Sequence, residues 1–184
     1  MCYDSNWEAE RQKRDIAGLV TRLIFALVIA IVAIAQAAFI PAINVLSIGP
    51  NIVLVLVLTW SADRGMAEGV IWTFPVGILL DLLALDPLGS NTLALMPVAV
   101  IGGLSRRRLF HSGVIIPMLL VIVATIVHQI IGAVVASATG LNYSLGITIR
   151  LSVLTALLNV AIVPLLYIGV AVLDRVGVVR ASRA

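Results

Sequence analysis

Few residues in this chain could do chemistry, and each of them sits in apolar surroundings. Asp81 closes one long apolar run, His128 and Gln129 interrupt another, and Arg150 opens a third. A charge inside a hydrocarbon-length segment costs several kcal/mol unless it is paired or wetted. An acid and a base brought together would be the start of proton-transfer or nucleophilic machinery, but they must come within hydrogen-bond reach. His128 and Gln129 fall near the middle of their run, whereas Asp81 and Arg150 fall near the ends of theirs. No serine stands in a nucleophile-elbow context, no residues have metal-ligand spacing, and no glycine-rich loop follows a strand. The expectation is therefore a non-enzymatic chain with no catalytic residue, cofactor or metal. His128, Gln129 and Asn159 read as buried polar groups bonded between helices. A ligand or proton-relay role is the sharper alternative for His128.

Asp81 belongs to a pattern. Gly65, Gly69, Thr73, Gly77 and Asp81 recur at every fourth residue, with Val70, Ile71, Trp72, Phe74, Ile78, Leu79 and Leu80 between them. Residues four apart share one helix face. A membrane helix uses such a small-residue face as a packing seam that lets a neighbour's backbone approach. Leucine at Gly69 or Gly77 should overpack that seam, and alanine should be mild. The chain reads as organised around this helix, at about residues 65–83. At its far end Asp81 and Asp86 face one candidate cation, Arg150. The three read as an outer-face charge cluster, with Asp81 and Arg150 paired. The cluster either clamps helix ends or lines a hollow that meets a partner.

Composition places these helices in a bilayer. Of 184 residues, 61% are hydrophobic and only 11% are charged, against about 25% charged in a soluble domain. The class is all-α: a polytopic membrane protein with one compact six-helix bundle. Spans are expected at about 16–40, 50–62, 65–83, 90–104, 113–138 and 146–173. The second is short for a crossing, which takes about 20 residues, and residues 44–48 would fill the gap. Pro41 should stop the first span, Pro75 should kink the third, and Ser90 or Asn91 should cap the fourth. Arg22 should snorkel to the headgroups. Six spans leave both termini on one side. Of the twelve Lys and Arg residues, only Arg150 falls on the other side. The positive-inside rule then makes the termini cytoplasmic. The expected divisions are a tail at 1–15, a membrane domain at 16–176 and a second tail at 177–184, with no cleavable signal peptide. Arg106, Arg107 and Arg108 read as a topology determinant and headgroup contact, or as a dock for a cytoplasmic partner. The charge of +3 is no nucleic-acid footprint, because it sits in short clusters beside apolar spans. The single Cys2 permits no internal disulfide.

Gly77-Ile78-Leu79-Leu80-Asp81 followed by Pro87-Leu88-Gly89 resembles the signature of the MreD family of rod shape-determining proteins. Softer matches are Pro50-Asn51, Gly65 with Gly69, and Asn159 with Pro164-Leu165-Leu166. The resemblance implies a component of the bacterial cell-elongation (rod) complex in the cytoplasmic, inner membrane. Such a protein would bind MreC and help organise MreB, RodA and a class B penicillin-binding protein during lateral peptidoglycan synthesis. The family is similar in fold to the substrate-binding S components of energy-coupling factor transporters. The alternative is therefore an S component for a vitamin or metal, docking through Ala26, Ala30, Ala33 and Ala37. Against it, the outer loops offer few polar groups for a small-molecule site.

Overall fold

The computed structural model describes residues 4–43, 49–105, 115–140 and 145–175, with side chains placed for most of them. The filler before the second span, Arg106, Arg107, Arg108 and the C-terminal tail lie outside the described residues. Among the described residues six helices follow one another: α1 (Asp4–Ile43), α2 (Ile52–Arg64), α3 (Met66–Ala84), α4 (Ser90–Leu104), α5 (Ile115–Ala138) and α6 (Leu145–Arg175). There is no strand among the described residues. The protein is a polytopic helical membrane bundle.

Helix lengths differ for a physical reason. Within α1, residues Glu10–Ala38 are long and apolar enough to cross a bilayer, as are α3 and α5. The 40 residues of α1 extend about 60 Å, roughly twice the hydrocarbon thickness. The polar lead-in is thus continuous with the first span, and the helix runs two residues past Pro41. In contrast, α2 has 13 residues and α4 has 15, or about 20 Å each. Neither crosses about 30 Å of hydrocarbon alone.

The short helix α2 is the centre of the bundle and packs against all five others. Val53, Leu54, Val55, Val57 and Leu58 are all buried, and a helix that is apolar all round belongs in the interior. This corrects the expectation that the third span organises the chain. The α3 helix has one buried face, Gly69, Thr73, Val76, Gly77, Leu80 and Asp81. Ile71, Phe74, Ile78 and Leu82 on its other side are exposed and face lipid. Helix α3 packs most extensively on α4, and also on α2 and α1. Helix α5 joins α4 to α6.

An aromatic cluster holds the middle of α1 against α2 and α3. Phe25 stacks on Trp60 of α2 at 3.8 Å between ring centroids, and meets Trp72 of α3 edge-on at 5.2 Å. Beside it Arg22 pairs with Glu68 through two hydrogen bonds, of 3.2 and 3.1 Å. Arg22 therefore does more than reach for headgroups: it ties α1 to α3. The Arg64 guanidinium lies 5.2 Å from the Trp60 ring centroid, a cation–π distance.

Candidate functional site

The polar residues gather at the N-termini of the two short helices. A helix leaves its first backbone N–H groups without internal partners, and inside a membrane no water can take them. Each short helix solves this with side chains borrowed from its neighbours.

At α4 the donor problem is solved by Asp81. Its carboxylate accepts from Gly89 N at 2.6 Å, Asn91 N at 3.0 Å, Ser90 Oγ at 2.9 Å and Asn91 Nδ2 at 2.8 Å. Asp81 is only 1% exposed. Four donors and the positive end of a helix dipole compensate its charge. The Asp81–Arg150 pair expected from the sequence is therefore corrected. Arg150 is exposed on α6, and no ion pair joins it to Asp81 among the described residues. Helix α6 packs on α5 and α2 and has no comparable interface with α3. Nor do Ser90 and Asn91 cap α4. Gly89 is the cap residue, at φ 92, and Ser90 and Asn91 both donate to Asp81. Asp86 is exposed in the turn and accepts from Asn91 Nδ2 at 3.3 Å.

At α2 the same problem is solved from a distance. Asn51 is the cap residue, and its Oδ1 accepts from Leu54 N at 3.0 Å. Gln36 of α1 supplies Oε1 to Ile52 N at 2.9 Å and Val53 N at 3.3 Å. Its amide nitrogen reaches Asn51 Oδ1 at 3.4 Å. Asn159 of α6 accepts from Asn51 N at 2.7 Å and donates to Thr125 Oγ1 of α5 at 2.9 Å. The first N–H groups of α2 are thus all satisfied, and α1, α2, α5 and α6 are tied at one point. Asn159 is fully buried. His128 and Gln129, a turn beyond Thr125 on α5, are half-buried. His128 Nε2 is enclosed without a hydrogen-bond partner. The sequence reading marked Asn159 but missed Gln36, whose partners lie on another helix, and the capping role of Asn51, which its position just before the apolar run and three residues ahead of Leu54 could have shown.

The glycine face of α3 fits α4 and α2 with no spare room. A Cβ on Gly77 would lie 2.5 Å from both Cα and N of Thr92. On Gly69 it would strike the Ser61 side chain, 2.5 Å from Ser61 Cβ. Alanine is therefore already too large here, contrary to the expectation that it would be mild. Thr73 is buried between the two glycines and turns its hydroxyl back to Val70 O at 2.7 Å. Gly65 is not part of this face. It forms the turn between α2 and α3 at φ 104, a left-handed conformation that suits glycine. Ser61 donates to Ala99 O, joining α2 to α4 behind the seam. Of the alanine stripe on α1, Ala33 is buried in the core, and Ala26, Ala30 and Ala37 are half-buried.

These are arrangements for fixing helix ends and helix spacing. Among the described residues no group of His, Cys, Asp and Glu could hold a metal ion.

The model of the rod shape-determining protein MreD family matches residues 16–176. The chain belongs to the MreD family. No curated protein and no solved structure matches it. The match covers every described helix except the polar start of α1, so the two capping centres and the glycine face all lie inside the family region. Membership assigns the protein a role in rod shape determination, within a family known for shape rather than catalysis.

Proposed function

We propose that this MreD-family protein is a non-enzymatic scaffold of the rod complex in the bacterial inner membrane, binding MreC. Through MreC it would act with MreB, RodA and a class B penicillin-binding protein in lateral peptidoglycan synthesis. The family match over nearly the whole chain carries this reading. The use of the buried polar groups supports it: Asp81 and Asn159 are consumed in holding helices. A scaffold needs a surface of fixed shape, and helix ends held by side chains supply one. We also propose six spans with both termini cytoplasmic, because the basic residues sort to that side.

Affinity purification in mild detergent tests the partner, and MreC is the protein expected to co-purify. Two nucleotide-binding subunits and a coupling subunit would instead indicate a transporter S component. Orientation is tested in a Cys2→Ser background with single cysteines. Leu88→Cys and Thr139→Cys should react with an impermeant thiol reagent from outside, and Leu104→Cys should not. The reverse pattern would refute the orientation.

A further inference from the structure

Helices α5 and α6 meet tightly at one level and then part. At that level Asn159 donates to Thr125 Oγ1 at 2.9 Å, and Ala124, Thr125, Thr155, Ala156 and Asn159 are buried. Toward the α5–α6 connection no described side chain is buried, either beyond Thr125 on α5 or before Thr155 on α6. The faces turned toward each other there are polar or small. Residues three, four and seven positions from Thr125 share its side of α5, which places His128, Gln129 and Gly132 there. The same spacing from Asn159 places Thr155 and Ser152 opposite them on α6. The other sides carry the exposed Ile130, Val134, Ile149 and Val153 and face lipid. A Cβ added to Gly132 meets nothing within 4 Å, whereas one on Gly77 strikes Thr92. His128 Nε2, a turn beyond Thr125, is enclosed and has no hydrogen-bond partner.

We propose that α5 and α6 enclose a narrow water-filled cleft that opens toward their connection and has His128 at its floor. Water is the occupant that this lining selects. An unpartnered polar group in apolar surroundings is costly, and a polar site with room to spare holds ordered water. Water suits His128 in either tautomer, because it donates to a bare ring nitrogen and accepts from a protonated one. A hydrocarbon chain in the same space would leave Nε2 unpaired. The Asn159–Thr125 bond closes the floor. The cleft thus brings water to within a turn of Asn159, the residue that ties four helices together.

The test uses the full chain in lipid nanodiscs, which leave both membrane faces accessible, in a Cys2→Ser background. Single cysteines replace Gly132 and Ser152 in the cleft, and Val134 and Val153 on the lipid faces at nearly the same levels. A small charged methanethiosulfonate reagent reads hydration, because it reacts with the thiolate. Gly132→Cys and Ser152→Cys should react faster than Val134→Cys and Val153→Cys by about tenfold or more. His128→Leu should keep or raise thermostability and slow the reaction of Gly132→Cys. Gly132→Ala should keep or slightly raise thermostability, since alanine favours the helix and its methyl group meets no neighbour. The cleft is refuted if the four cysteines react alike, whether all fast or all slowly. It is equally refuted if Gly132→Ala destabilises the protein as Gly77→Ala does. A loss of thermostability in His128→Leu as large as that of Asn159→Ala also refutes it, because the imidazole would then be bonded within the fold.

Discussion

The two capped helix ends solve one problem by opposite routes. At α4 a single carboxylate, Asp81, takes four donors from residues eight to ten positions along the chain. At α2 the donors are shared among Gln36, Asn51 and Asn159, and one bond spans 108 positions. The first centre is local and charged, and it can form as soon as the α3–α4 turn closes. The second is dispersed and neutral, and it exists only when four helices have assembled. One fixes a turn and the other fixes the bundle.

The contrast can be tested from its strongest point downward. Asp81→Asn keeps the shape but turns an amide nitrogen toward backbone donors. Hydrogen bonds to a charged group contribute about 1.5–3 kcal/mol each, and more than one is lost. The expected loss is about 3 kcal/mol or more in detergent unfolding. A loss under about 1 kcal/mol would mean that the carboxylate is not what holds the turn. Asn159→Ala removes one link at each of its two ends and leaves Asn51 N without its acceptor, for about 1–3 kcal/mol. Because the two centres share no hydrogen-bond partner, the double variant should be additive within about 0.5 kcal/mol. Strong coupling would show that they are one network.

The smallest effect belongs to Arg22→Gln. The Arg22–Glu68 pair joins α1 to the start of α3, and its Arg22 side chain is 54% exposed. Exposed ion pairs contribute about 0–1 kcal/mol, so unfolding should shift little. A loss comparable to that of Asp81→Asn would show that α1 is held mainly by its ion pair with Glu68 and not by Gln36.

Much of this was legible because apolar periodicity and spacing are properties of one helix. The positions of the helices and the small-residue face of α3 lie within short stretches of sequence. The family signature lies in the same stretch, at Gly77 to Gly89. Other features were misjudged for a common reason. Arg150 looked like the partner of Asp81 because both were charges expected at one depth, but depth does not state which helices are neighbours. Alanine at Gly77 looked mild because sequence shows a small residue without showing how close the facing backbone comes.

The sequence by itself determined the class, an apolar helical chain in a bilayer, since composition and hydrophobic run length are read without knowing any contact. It also determined that Asp81 needed compensation, since a carboxylate in hydrocarbon always does. Only the tertiary structure decided which groups supply it. It placed the short α2 at the centre and joined Gln36, Asn51, Asn159 and Thr125 from four helices. Those outcomes depend on which helix faces pack together, and a helix's own sequence names the face without naming its neighbour.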